Sequence, residues 1–214
     1  LREVEKRLAT IKRIILVSCG TSYHASLVGE YMLEEFAGIP CEVEFASEFR
    51  YRKLLIDKHT AVVALSQSGE TADTLAAIRE AKRQGALVLG IVNTVGSTIA
   101  RETHAGIYNH AGREVSVAST KAFTSQLGVL ALLTLFLGRR RGLSKTDGKK
   151  IARALEQLPK LMEQVLANSK DMKKLAKKFR GRKNYLFLGR KYNFPIAFEG
   201  ALKIKEIAYV SAEG

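Results

Sequence analysis

From Arg13 onward the sequence alternates short aliphatic runs with longer amphipathic stretches, and this alternation constrains the fold more than any other feature. A run such as AVVALS at 61–66 is apolar on successive residues, as expected for a strand covered on both faces, and such a strand needs helices above and below it. This reading places strands at 14–18, 42–46, 61–66, 87–92 and 105–109. Helices fill the gaps at 22–37, 46–53, 71–84 and 119–137, with a short turn at 97–102. The expected class is α/β, with a five-stranded parallel sheet flanked by helices.

After Gly142 the pattern changes to two lysine-rich helical stretches, 146–167 and 170–179, followed by a strand at 184–189 and a helix at 194–209. Strand, GR turn and helix echo the opening strand, CG turn and helix of residues 14–36, which suggests a second copy of the same unit cut off after its first strand and helix. The expected division is therefore a first domain at 1–142, then linking helices and the truncated start of a second domain at 143–214. A first residue Leu and a last residue Gly in mid-pattern read as a piece of a longer chain.

Composition bounds the remaining possibilities. In 214 residues, 46% hydrophobic content provides ample core and excludes disorder and collagen-like structure. The longest near-apolar stretch, LGVLALLTLFLG at 127–138, falls short of the ~18 to 20 residues that cross a bilayer and reads as a buried helix. Two cysteines, Cys19 and Cys41, make no disulfide framework, so a reducing cytoplasm is the expected setting. The net charge of +14 is localised: residues 139–150 carry +5 and residues 170–183 carry +7, leaving +2 for the rest. Without an aromatic stacking platform, those segments read as solvated surface, with no nucleic-acid partner and no membrane expected.

The segment AVVALSQSGETADTLAAIR at 61–79 carries the most chemistry. It runs an aliphatic strand into Ser66, Gln67, Ser68, Gly69, Glu70 and Thr71 and then into a helix, crowding hydroxyls at the carboxyl end of the strand. Ligands bind at that end in open α/β sheets. A helix start favours an anion through free N–H groups and the helix dipole, and hydroxyls can donate to phosphate oxygens. The same spacing also suits a plain helix cap. Glu199, Lys203 and Glu206 recur at i, i+4 and i+7 on one face of the last helix, which fits a proton-transfer carboxylate beside a lysine or an exposed salt-bridge ladder. The histidines His24, His59, His104 and His110 have no metal-ligand spacing and are expected at surfaces or helix ends.

Five strings decide between these alternatives: CGTSYHA at 19–25, ASEFRYR at 46–52, SQSGETADT at 66–74, VASTKAFTSQ at 117–126 and EGALKIKEIAY at 199–209. Together, and in this order, they resemble the isomerase half of the glucosamine-6-phosphate synthases, the isomerising glutamine:fructose-6-phosphate aminotransferases, which is built from two three-layer α/β/α sugar isomerase (SIS) domains. The resemblance implies that Ser66, Gln67, Ser68 and Thr71 hold a hexose phosphate, that Thr21 and Ser22 complete the pocket, and that Val117 and Ser119 contact the sugar. It implies catalytic roles for Glu206, which moves a proton between C1 and C2, and for Lys203 beside it.

The resemblance further implies a homodimer, a glutaminase domain in the parent chain, no cofactor, no metal, and the first reaction of hexosamine biosynthesis. Cys19 reads as pocket wall. Lys191, Ser116 and Ser211 depart from residues common in the family, and the family's ring-opening His and carbonyl-trapping Lys fall beyond Gly214. A stand-alone SIS isomerase and a non-catalytic phosphosugar-sensing module are the competing readings.

Overall fold

The computed structural model describes residues 1–214. A 3-10 turn at Arg2–Val4 leads into α1 (Glu5–Ala9), then β1 (Arg13–Ser18), α2 (Thr21–Ala37), β2 (Cys41–Phe45), α3 (Ala46–Phe49), β3 (Thr60–Ser66) and α4 (Ala72–Arg83). Next come β4 (Leu87–Val92), α5 (Thr98–Glu102), β5 (Ala105–Tyr108), α6 (Lys121–Gly138), α7 (Lys145–Ala167) and α8 (Ser169–Phe179). The chain closes with β6 (Asn184–Leu186), α9 (Asn193–Ala208) and β7 (Ser211–Glu213).

Strands β1 to β5 form one parallel sheet in the order β2-β1-β3-β4-β5. Alternate residues of each central strand feed opposite layers, because successive side chains of a strand point to opposite faces. Ile14, Leu16, Ala61, Val63, Leu65, Leu87, Leu89 and Ile91 enter one core with Ala25 and Leu33 of α2 and Leu130 and Leu133 of α6. Ile15, Val17, Val62, Ala64, Val88 and Val92 enter the other with Phe49 of α3, Ala77 and Ile78 of α4 and Ile99 of α5. The result is the expected five-stranded α/β/α sandwich. It also explains the uninterrupted apolar runs, since all seven residues of β3 are buried.

Some expected bounds change in detail. The strand expected at 42–46 is Cys41–Phe45, and the helix expected at 46–53 ends at Phe49. Phe49 and Leu54 both reach the core five residues apart, a spacing that one helix face does not provide, and Arg50 and Arg52 leave the helix to pair with Asp73 and Glu44. The amino-terminal helix was not anticipated, although Val4, Leu8 and Ile11 are buried at helical spacing. Helix α6 runs 18 residues and is apolar enough by composition to span a bilayer, but half of it is buried in the fold, where it packs on α2.

Beyond α6 the structure opens out. Helices α7 and α8 keep their lysine-rich faces in solvent, and β6 pairs in parallel with β7 across α9. Lys191, which stands where the resembled family has Gly, adopts the left-handed region at φ 54°, and its Nζ pairs with Glu35 at 3.0 Å. Helix α9 leans back onto α2 and thereby reaches the carboxyl end of the main sheet.

Candidate functional site

The chain leaves β1 toward β2 on one side and returns to β3 on the other, so the strand order reverses between β1 and β3. Connections there diverge and leave a crevice at the carboxyl ends of the strands. A cavity of about 210 Å³ fills it. Thr21 and Ser22 contribute from the start of α2, and Ser66, Gln67, Ser68 and Thr71 from the β3–α4 turn. Val117 and Ser119 come from the loop before α6 and Glu206 from α9, while Cys19 and Leu65 complete the wall. Nine of the ten candidates thus share one cavity, and Lys203 stands behind the wall in contact with Thr21 and Glu206.

The turn after β3 is built on Ser66. Its Oγ accepts the Gly69 N–H at 3.0 Å and lies 3.2 Å from Thr71 Oγ1, which curls residues 66–71 over the end of the strand. Gly69 takes φ +69° with its α-carbon against Ser97, a place for no side chain. Ser68 Oγ accepts the Glu70 N–H at 3.2 Å, and Glu70 Oε1 accepts the Thr98 N–H at 2.8 Å, tying the turn to α5. Thr71 is the N-cap residue of α4, yet its side chain caps no backbone N–H. A plain capping role therefore does not account for it, and the first turn of α4 keeps N–H groups free for an anion.

Two supports were not legible in advance. Gln126, fully buried in α6, donates from Nε2 to Ser22 Oγ at 2.9 Å; the one signal for it was an amide immediately before the near-apolar stretch 127–138. Glu114 accepts from Ser119 Oγ, the Thr120 N–H and the Ala122 N–H at 3.0 to 3.2 Å. It does the work of an N-cap from six residues away and keeps Ser119 out of the helix, where 119–137 had been expected to begin. Burial pushes the Glu114 carboxyl up, but the Ala122 and Thr120 amides, Ser119 and Lys121 outweigh it, so its pKa lies below the usual value. Val117 projects from this loop into solvent at the cavity rim, 95% exposed.

Helix α9 supplies the charge. Lys203 Nζ donates to Thr21 Oγ1 at 2.8 Å and pairs with Glu199 Oε1 at 3.2 Å. It also approaches Glu206 Oε2 at 2.6 Å, as an ion contact outside hydrogen-bond angles. Glu199 is only 6% exposed and accepts from Thr21 Oγ1 at 3.0 Å and from His24 at 2.7 Å. Burial alone raises its pKa, but the His24 hydrogen bond, the Lys203 charge and Thr21 together bring it below the usual carboxylate value. The α9 triad is therefore partly buried, not the exposed ladder that its spacing also allowed, and His24 stands near the start of α2, at a helix end as expected, but with its side chain packed against α9. His104 is likewise partly buried; its Nδ1 accepts the Val88 N–H at 3.0 Å, and desolvation holds its pKa below the usual imidazole value.

A five-stranded parallel α/β/α sandwich with a hydroxyl-lined crevice at its switch point is the architecture of an SIS domain, and the chain belongs to that family: the SIS domain model matches residues 7–136. Particular relatives narrow the likeness. The chain is 54% identical over 208 residues to a glutamine--fructose-6-phosphate aminotransferase [isomerizing] of Chlorobaculum tepidum, covering 97% of this chain and 34% of the relative. It is 51% identical over 213 residues to the protein of that name from Bacteroides thetaiotaomicron, covering 99% and 35%. The chain thus spans about a third of the length of the curated relatives it matches. Among solved structures, the C-terminal domain of glucosamine-fructose-6-phosphate aminotransferase from Francisella tularensis superposes with a TM-score of 0.96 at 39% identity, covering all of this chain and 61% of that one.

Proposed function

We propose that the crevice binds a hexose phosphate and that the chain is the isomerase portion of a glutamine:fructose-6-phosphate aminotransferase, a parent enzyme that makes glucosamine-6-phosphate and glutamate from fructose-6-phosphate and glutamine. The observation that carries this reading is the convergence on one cavity of hydroxyls from three separate segments with the Glu206 carboxylate from a fourth. The names of the relatives support it. In this reading Ser66, Gln67, Ser68 and Thr71 hold the phosphate, while Thr21, Ser22, Val117 and Ser119 shape the pocket around the sugar. Ammonia from a glutaminase domain elsewhere in the parent adds to the ketose carbonyl. Glu206 then moves a proton between C1 and C2, with Lys203 fixing its carboxylate.

Residues 143–214 act as linking helices and the opening of a second SIS domain. Two features support this. Strand β6, helix α9 and the parallel strand β7 repeat the strand–helix–strand order of the first unit, and Leu175, Phe179, Leu186 and Phe187 border an apolar cavity of about 470 Å³ that further strands of such a domain would cover. A cytoplasmic homodimer belongs to the same reading. A phosphosugar sensor needs the β3–α4 turn but no α9 array, so the presence of Glu206 on the cavity wall favours a catalyst.

Calorimetry with fructose and its 6-phosphate tests the binding half. Losing one charge-assisted hydrogen bond in Ser68→Ala or Thr71→Ala costs about 1.5 to 3 kcal/mol, a weakening of about tenfold or more. Equal affinity for the two sugars refutes it. Glu206→Gln in the full-length parent tests the catalytic half: turnover falls by about 10² to 10⁴ with little change in substrate affinity, and a near wild-type rate leaves the sensor reading standing.

A further inference from the structure

His24 is the one residue of the α2 start whose side chain reaches α9 without lining the cavity. Its Nδ1 lies 2.7 Å from Glu199 Oε2, and both side chains are largely withdrawn from solvent. A carboxylate only accepts, so Nδ1 carries the hydrogen of this bond. The imidazole is held edge-on to Tyr23 at 6.1 Å and close to parallel with Phe198 at 5.9 Å, so its direction is fixed from both helices.

The two oxygens of Glu199 are then divided: Oε2 takes His24, while Oε1 takes Thr21 and Lys203. Lys203 has a long, flexible stem and would not choose one orientation unaided. Its Nζ is placed by Oε1 on one side and reaches Glu206 on the other. A contact made 175 residues away in sequence therefore sets where the ammonium stands relative to the cavity carboxylate.

We propose that His24 is a positioning residue, acting through Glu199 to hold Lys203 against Glu206. This rests on the reading of Glu206 as the proton-transfer carboxylate. His24 touches neither substrate nor reacting atoms. Its effect falls on turnover and leaves substrate affinity alone, because the phosphate-facing turn at residues 66–71 makes no contact with it.

Two substitutions separate positioning from packing. His24→Phe keeps a ring against Phe198 and loses the donor; His24→Asn loses the ring and keeps an amide N–H near the place of Nδ1. In the full-length parent, His24→Phe should lower kcat for glucosamine-6-phosphate formation by about tenfold or more, with KM for fructose-6-phosphate within about twofold. His24→Asn should recover most of that loss. Added to Glu199→Gln, His24→Phe should cost nothing further, since the partner it acts through is already disabled.

A packing role predicts the reverse order, Asn worse than Phe, and that order overturns the proposal. So does wild-type kcat in His24→Phe, or full additivity with Glu199→Gln. If the Phe variant does not fold, His24→Ala carries the same comparison with Asn. Glu206→Gln is measured alongside: lost turnover there with His24→Phe unimpaired overturns this proposal alone, whereas near wild-type turnover in Glu206→Gln overturns the underlying reading and the proposal with it.

Discussion

Replacing Gly69 by Ala isolates the geometry on which the candidate phosphate turn depends. Gly69 sits at φ +69°, where an L-residue costs about 1 to 2 kcal/mol. A Cβ built there would stand 2.0 Å from Ser97 Oγ and 2.4 Å from Ser97 Cβ. Rotating the serine hydroxyl relieves the first clash but not the second, because Cβ moves only with its backbone. Ser97 is buried and opens α5, and the Ile99 N–H binds the Gly69 carbonyl at 3.0 Å, so neither backbone can retreat freely. Overpacking of this kind adds about 1 to 3 kcal/mol, for a total of about 2 to 5 kcal/mol. Gly85 provides the control: its φ is +88°, but nothing lies within 4 Å of a built Cβ, so Gly85→Ala costs only the backbone part. Urea denaturation of the two variants should therefore differ by about 1 to 3 kcal/mol, and calorimetry should show fructose-6-phosphate affinity falling in Gly69→Ala alone. Equal destabilisation, or unchanged affinity in Gly69→Ala, would refute the close approach of the turn to α5 as the determinant of its shape.

Glu199, with its pKa held below the usual carboxylate value, contributes stability that is present at neutral pH and lost as pH falls through the depressed folded-state value; wild type should lose stability on acidification below about pH 4.5, and Glu199→Gln should show a flatter acid limb in pH-dependent unfolding. Exchanging Lys173, Lys174, Lys177 and Lys178 for Gln should leave fructose-6-phosphate affinity unchanged by calorimetry, since all four are exposed on α8, away from the cavity; loss of sugar-phosphate affinity would show that the basic face reaches the site.

What the sequence revealed, it revealed through local pattern. Continuous aliphatic runs specify strands buried on both faces, and β3 with its hydroxyl-rich exit is a local object whose strand, turn and helix lie within 60–83. Lys203 and Glu206 were legible as neighbours for the same reason, being three residues apart on one helix. The illegible parts depend on contacts distant in sequence. Gln126 meets Ser22 across 104 positions, and His24 meets Glu199 across 175, so nothing near either residue announces its partner. Glu114 lay closer to hand, but a carboxylate capping a helix from six to eight positions upstream follows no short capping pattern. His24 was legible as a residue at a helix end but not as a buried one, because a lone histidine early in a helix carries no periodic signal of burial.

The distribution of charge bears on how an anion is held. No residue lining the cavity is a lysine or arginine, and Lys203, the cation behind its wall, is already matched by Glu199 and Glu206. The large positive charge of the chain lies instead on the segments 139–150 and 170–183. On the proposed function, a phosphate in the crevice would be bound by neutral donors: the hydroxyls of the β3–α4 turn and the amides that open α2 and α4, two helices that begin beside each other because β1 and β3 are adjacent strands. Such donors grip by geometry more than by long-range attraction, so the site depends on the buried bonds of Ser66, Gly69 and Gln126 that set their directions. Lys203 is thereby left to Glu206 and the sugar end of the cavity. In the proposed reading the phosphate grip and the proton-transfer array thus belong to different elements, joined through the start of α2, where Thr21 lines the cavity and hydrogen-bonds both Lys203 and Glu199.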